Sequence, residues 1–168
     1  MLYLTFIFTL VLCLFFNPIY HNFTSLLSSS YAWLFYLWIF LNVVIYAKKS
    51  ICFIQSQKER QYIFILSFIF MIGCYFPYEN TYTFFSYLHV ILPMICIIIY
   101  LLFLFYIIYR YQKKEPFKAH LLFQWYFWGL SIISMLIIFF GQINGVIEIA
   151  LISFITIMLN KMQIIYDS

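Results

Sequence analysis

The chain has 168 residues, of which 67% are hydrophobic and only 8% are charged, against roughly a quarter in an ordinary soluble domain. So few charges exclude a soluble globular protein, and so apolar a chain is not an intrinsically disordered one. The composition indicates an all-α integral membrane protein, in which residues 1–168 form a single polytopic bundle of transmembrane helices. The abundance of Phe, Tyr and Ile beside few Gly and Pro favours a source with a low-GC genome.

Six apolar runs approach the roughly 20 helical residues that cross about 30 Å of hydrocarbon. In chain order, the predicted spans cover residues 2–19, 31–47, 61–76, 84–109, 120–140 and 143–162. The last two are separated only by the turn Gly141–Gly145, which predicts that they are antiparallel neighbours. The first run lacks the basic residues that precede the apolar part of a secretory signal peptide, so we expect a retained helix.

The basic residues predict the orientation of these spans. Of the nine Lys and Arg residues, four lie in residues 48–60 and four in residues 110–120, so that every second loop is basic. By the positive-inside rule, these loops and both termini face the cytoplasm, if the source is a bacterial plasma membrane, or the matrix, if it is an organellar inner membrane. Because orientation explains the positive charge, no nucleic-acid partner is expected. Membrane lipids are the expected partners, with these candidates for anionic headgroups: Lys48, Lys49, Arg110, Lys113 and Lys114.

Four polar residues on the opposite half of the predicted bundle are candidates for a binding site: His89, Glu148, Asn144 and Glu79. Glu148 lies about 7 Å inside the sixth span at about 1.5 Å per residue, and a carboxylate at that depth has to be protonated or paired. Asn144 precedes it by four residues and shares its helix face. His89 lies near the outer end of the fourth span, one turn before Pro93, which favours a kink.

These residues leave two interpretations open. Together they could relay protons, hold a cation or bind the head of a lipid or small amphiphile. Alternatively, His89 and Glu148 form internal hydrogen bonds that fix helix packing, and Glu79 is a solvated loop charge. The sequence has no nucleotide-binding loop and no set of metal ligands at short spacing, so no cofactor or metal is predicted.

The stretch Gly73–Tyr78, which contains Phe76-Pro77-Tyr78, and the following Leu88-His89-Val90 resemble a group of small uncharacterised polytopic membrane proteins of low-GC bacteria. In that group a Phe-Pro-Tyr loop precedes a Leu-His-Val helix start. The resemblance covers about 18 residues. It implies a small multi-span bundle and directs attention to His89, but it implies no catalytic role.

Three functions are compatible with the sequence. The first is a non-enzymatic membrane protein with a polar cavity in its outer half for an amphiphile, lipid or ion, serving transport, tolerance or sensing. The second is a structural subunit of a larger membrane complex, whose other subunits cover its apolar faces. The third, an intramembrane enzyme, has the least support, because Ser86 and His89 on one helix face lack an orienting third group.

Overall fold

The computed structural model describes residues 2–76 and 83–167, and every regular element within them is helical. This agrees with the predicted all-α class for that part of the chain. The six α-helices are α1 (Leu2–Leu12), α2 (Ala32–Ile51), α3 (Gln57–Tyr75), α4 (Phe84–Gln112), α5 (Pro116–Phe140) and α6 (Gly145–Asp167). A 3-10 turn, Cys13–Phe15, continues α1, and a 3-10 segment, Phe23–Ser28, lies between α1 and α2.

Four of these helices, α2, α4, α5 and α6, are long and apolar enough to cross a membrane. The helices at the two other predicted spans are not in this set, α1 because it is short and α3 because its first turn is charged. The 11 residues of α1 rise only about 17 Å before the 3-10 turn. Helix α3 has 19 residues, but Lys58, Glu59 and Arg60 lie in its first turn, so its apolar part starts only at Tyr62.

The helices form a closed ring in chain order. Each helix packs against the next, and α1 also packs against α6, which closes the ring, while α2 reaches α6 across it. Cross-helix hydrogen bonds show the directions of the helices. Tyr3 and Asn160 join the start of α1 to the end of α6, whereas Lys49 and Gln163 join the ends of α2 and α6. Hence α2 and α6 are parallel to each other and antiparallel to α1.

This alternation brings all nine Lys and Arg residues to one end of the bundle, called here the basic end. They lie in the last turns of α2 and α4, the first turns of α3 and α5, the connection after α4, and near the end of α6. Arg110 joins two of these elements through an ion pair with Glu59 at 2.9 Å. The opposite end contains the segment before α2, the start of α4 and the turn between α5 and α6.

The outward surface of the bundle is apolar, while several of its buried side chains are polar. On α5, for example, Ile138 and Phe139 are each 81% exposed, and on α4 Phe84 is 71% exposed. A soluble monomer rarely exposes apolar patches of this extent. The distribution is compatible with a multi-pass membrane helix bundle, in which lipid covers the outer faces.

The turn between α5 and α6 confirms the predicted antiparallel pair. Gly141 ends α5 in the left-handed conformation with φ +66°, which glycine adopts without a steric penalty, and its N–H donates to the carbonyl of Ile137 at 2.9 Å. Three residues later, the Asn144 side chain accepts a hydrogen bond from the N–H of Ile147 at 3.2 Å. Asn144 is therefore the N-cap of α6, which begins two residues later than predicted.

Candidate functional site

Glu148 lies in the first turns of α6 and is half-buried. Its Oε2 accepts a hydrogen bond of 2.7 Å from the backbone N–H of Phe23, which opens the 3-10 segment before α2. The carboxylate therefore ties α6 to the segment that joins α1 and α2. All Lys and Arg residues of the chain lie at the basic end, so none of them neutralises this carboxylate.

Asn144 strengthens the same connection. Its Nδ2 donates to the carbonyl of Ile19 at 2.9 Å. The N–H groups of Gly145 and Val146 donate to the carbonyls of His21 and Pro18 at 2.8 and 3.2 Å. A Cβ at Gly145 would lie 2.9 Å from the Cα of Pro18, so this close approach of backbones requires glycine. Asn144 and Glu148 thus lie together, and both have structural partners.

His89 lies at a different helix interface. It is buried on α4, and its Nδ1 lies 2.8 Å from the carbonyl oxygen of Phe76, directly after α3. A carbonyl only accepts hydrogen bonds, so Nδ1 is the protonated nitrogen here. The contact holds the end of α3 to the start of α4. Among the described residues, no hydrogen bond or ion pair joins His89 to Glu148, and Glu79 lies outside the described ranges.

The basic candidates for headgroup binding separate into two kinds. Two of them are engaged inside the protein: Lys49 donates to Gln163 at 2.6 Å, and Arg110 contacts both oxygens of Glu59. Lys113 and Lys114 are exposed in the connection between α4 and α5, and Lys48 lines a surface groove between α2 and α3. These three are the candidates that remain open to the surroundings.

Polar residues also follow one line through the bundle where α1, α2 and α6 meet, and we call this line the polar seam. On each helix its members recur at spacings of four or eight residues, which places them on one face. The seam consists of Thr5 and Thr9 on α1; Trp38, Asn42, Tyr46 and Ser50 on α2; and Asn144, Glu148, Thr156 and Asn160 on α6.

Hydrogen bonds along the seam join the three helices. The Trp38 indole N–H donates to the Thr9 hydroxyl at 2.8 Å, which links α2 to α1. The hydroxyls of Tyr46 and Thr156 lie 2.8 Å apart, which links α2 to α6. The same Tyr46 hydroxyl donates to the carbonyl of Ile152 at 3.4 Å. In a bilayer, such bonds hold helices together where the hydrophobic effect does not.

One polar atom of the seam stands out, because nothing in the described part of the chain donates to it. Asn42 is only 7% exposed, and its Nδ2 donates to the carbonyl of Trp38 at 2.9 Å. That bond fixes the amide, since the reverse orientation would place two oxygens against each other. The Oδ1 is then buried without a hydrogen-bond donor among residues 2–76 and 83–167. Buried acceptors of this kind are rare and call for an explanation.

The register of the seam places Asn42 at the level of Glu148. Tyr46 contacts Ile152 and Thr156, and α2 and α6 run in parallel. Asn42 lies one turn before Tyr46 on α2, and Glu148 lies one turn before Ile152 on α6. Asn42 is therefore level with the turn of α6 that contains Glu148 and Ile152. Glu148, which has no cationic partner, and Asn42, whose Oδ1 has no donor among the described residues, thus lie on turns of similar depth in the half of the bundle away from the basic end.

Among the described residues, the hydrogen-bonding groups at this level are mainly oxygens: a carboxylate, an amide oxygen, hydroxyls and the carbonyl of Ile152. The thiols of Cys13 and Cys74 also lie near Glu148. Oxygen donors of this type suit hard cations, and a single carboxylate matches a single positive charge. No three His, Cys, Asp or Glu side chains in the described ranges lie close enough to share a metal ion. The donor set therefore suits a monovalent cation or a proton.

Two of the grooves on the outer surface of the described residues lie away from the seam. One of about 670 Å³ lies between α4 and α5 near the basic end, and one of about 410 Å³ lies between α2 and α3. The first is lined by three phenylalanines, Phe105, Phe123 and Phe127, and also by the polar residues Gln112, His120 and Gln124.

Comparison with protein-family models, with curated proteins and with solved structures finds no match for this chain. Function is therefore inferred from the chemistry of the chain's own residues. Sequence reasoning singled out Glu148 and Asn144 but missed Asn42, Tyr46 and Thr156. The signal that could have found Asn42 is the four-residue spacing of Trp38, Asn42, Tyr46 and Ser50 inside an apolar helix.

Proposed function

We propose that the protein crosses the membrane six times, with both termini and the basic end on the cytoplasmic or matrix side. Two observations support this placement. All nine basic residues lie at one end, as the positive-inside rule requires for a single orientation. Helices α1 and α3 each pack between two helices of membrane length, which supports placing them in the same layer.

We further propose that the protein is not an enzyme and that it binds a monovalent cation or a proton in the outer half of the polar seam. Glu148 supplies the compensating negative charge, and Asn42 supplies a neutral oxygen. The observation that carries this proposal is Glu148, which has no Lys or Arg in its half of the protein and lies on a turn of α6 level with Asn42, whose Oδ1 has no donor among residues 2–76 and 83–167. Transport, tolerance or sensing of cations would each use such a site.

The site predicts that cations stabilise the fold. A ligand that binds only the folded protein raises its stability by RT ln(1 + [L]/Kd), or about 2.7 kcal/mol at a hundredfold excess over Kd. Thermal unfolding of the purified protein in mild detergent should therefore shift upward in NaCl or KCl relative to choline chloride at equal ionic strength. Glu148→Gln should abolish the shift while keeping an acceptor for the Phe23 N–H.

Asn160→Ala provides the matched control. Asn160 lies on the same face of α6, but it bonds Tyr3 at the basic end, far from Glu148. This variant should keep the full salt-dependent shift, and Asn42→Leu should weaken it. Equal melting temperatures of the wild type in all three salts, together with no response to pH between 5 and 8, would contradict the cation site. A Glu148→Gln variant that retains the shift would contradict the role of Glu148.

The alternative function, a structural subunit of a larger membrane complex, is favoured by the breadth of the exposed apolar face on α5. Trp128 is 70% exposed there, and Ile138 and Phe139 are more so. Lipid and a partner subunit would cover such a face equally well. Purification in mild detergent separates the two functions: stoichiometric copurifying subunits support the complex, and a lone 20.5 kDa chain opposes it.

A further inference from the structure

We infer that the groove between α4 and α5 binds a phospholipid with an anionic headgroup, with the headgroup at the basic end and an acyl chain along the aromatic floor. The inference rests on the proposed membrane placement but not on the cation site. It concerns a separate surface, on the outside of the ring. Four properties of the groove support it: its aromatic floor, the polar residues along one side, its length and the positive charge beside it.

The floor of the groove is aromatic and built from both helices. The Phe105 ring on α4 lies 5.4 Å from the ring of Phe123 and 6.3 Å from that of Phe127, measured between centroids. Phe123 and Phe127 lie 6.3 Å apart on α5. Such a surface offers a hydrocarbon chain continuous apolar contact without any polar group to desolvate.

A polar stripe on α5 borders this floor. The stripe consists of residues that recur every four positions and line the groove: His120, Gln124 and Trp128. Of these, His120 and Gln124 are the polar side chains, and both are exposed. Their ring and amide nitrogens lie 3.2 Å apart. Polar side chains on the lipid-facing surface of a span are costly unless they meet water or a polar group. A headgroup within reach of His120 and Gln124 satisfies both.

The dimensions of the groove match one leaflet. Its lining on α5 extends from His120 to Ser131, which is about 16 Å at about 1.5 Å per residue. Half of the roughly 30 Å hydrocarbon layer is about 15 Å. The groove volume of about 670 Å³ lies within the range of sites that hold small amphiphiles.

The charge beside the groove specifies the headgroup. Gln112, which lines the groove, ends α4, and the exposed Lys113 and Lys114 follow it directly. The same connection contains Glu115, so its net charge is positive. Neither lysine forms an ion pair within the described ranges. These charges favour an anionic phosphate headgroup over a zwitterionic one.

The test uses Trp128 as a probe, because it lines the groove. The protein is reconstituted in nanodiscs of phosphatidylcholine that contain a minor fraction of brominated lipid, either phosphatidylglycerol or phosphatidylcholine. Bromine quenches tryptophan only at contact distance. The signal of Trp128 is the difference between the wild type and Trp128→Phe. We expect brominated phosphatidylglycerol to quench this signal several times more than brominated phosphatidylcholine at equal mole fraction.

Two variants test whether Lys113 and Lys114 cause the preference for the anionic lipid. Replacing Lys113 and Lys114 by Gln should lower the relative affinity for the anionic lipid about fivefold for each lysine, whereas Lys58→Gln, at the same end on α3, should leave it unchanged. Equal quenching by both lipids, or a preference that survives the double lysine variant, would overturn the groove assignment but leave the membrane placement intact. Absence of quenching by either lipid would overturn both.

Discussion

The hydrogen bond between Glu148 and the N–H of Phe23 gives the sharpest prediction for stability. Glu148→Leu removes the only acceptor that the described residues offer this N–H and leaves a buried donor unsatisfied. That costs about 1–3 kcal/mol by mutational estimates, although hydrogen bonds between helices in membranes contribute only about 0.6–1.7 kcal/mol. We therefore expect Glu148→Leu to lower the free energy of unfolding by about 1–2 kcal/mol.

Glu148→Gln separates the acceptor from the charge. Its amide oxygen still accepts from Phe23; the strengthening of the bond by the carboxylate charge is lost, but so is the cost of burying a charge that has no cationic partner. The cost should stay below about 1 kcal/mol when unfolding is measured in choline chloride, where no small cation contributes. Unfolding can be followed in mixed micelles by Trp38 fluorescence, since the Trp38 ring stacks on Phe23 at 4.5 Å between centroids.

The order of the variants decides whether this reasoning holds. Glu148→Leu should be the least stable of the three, and Glu148→Gln should lie within about 1 kcal/mol of the wild type. If Glu148→Leu were as stable as the wild type, the contact with Phe23 would contribute nothing to the fold. If Glu148→Gln were as unstable as Glu148→Leu, the charge rather than the acceptor would matter. Glu115→Gln, an exposed carboxylate in the connection before α5, is the control and should change stability little.

Three further predictions concern other contacts. Gly145→Ala should destabilise the protein by about 1–3 kcal/mol, because its Cβ meets the backbone of Pro18 at 2.9 Å; a measured cost near zero would show that the two backbones can separate freely. A double-mutant cycle of Thr9→Val and Trp38→Phe should give a coupling energy of about 0.6–1.7 kcal/mol, and additivity would refute their hydrogen bond. Arg110→Lys loses the bidentate contact with Glu59 at a half-exposed site. It should lower the free energy of unfolding, measured by thermal unfolding, by at most about 1 kcal/mol. A larger decrease would indicate that the ion pair is shielded from water.

The helical class, the gathering of basic residues in every second loop and the turn between α5 and α6 could be predicted from the sequence. These features depend on composition and on the residue types within short segments. The end of α1 was predicted less well. Hydrophobicity alone extends the first span to Ile19, but the α-helix ends at Leu12 and continues as a 3-10 turn. The chain then turns at Asn17 and Pro18, and the carbonyls of Pro18 and His21 accept hydrogen bonds from N–H groups at the start of α6.

The site could be predicted only in part. An acidic residue in an apolar helix is conspicuous, and so Glu148 was found. Its partner is a backbone N–H 125 residues away, which no local pattern reveals. The expected proximity of His89 to Glu148 depended on the packing order of helices. In the structure His89 bonds to the end of α3, whereas Glu148 bonds to the segment after α1. That order is set by long-range packing and not by the spacing of residues along the chain.

The placement of the bundle is tested most directly by labelling cysteines with a membrane-impermeant maleimide in intact cells. Cys52 is exposed at the basic end, and Ser28 is exposed at the opposite end. With Cys13, Cys74 and Cys96 replaced by alanine, one variant keeps Cys52 and the other carries Ser28→Cys in place of it. The six-span placement predicts that Ser28→Cys is labelled in intact cells and Cys52 only after permeabilisation. Labelling of Cys52 in intact cells, or of both positions from the same side, would contradict it.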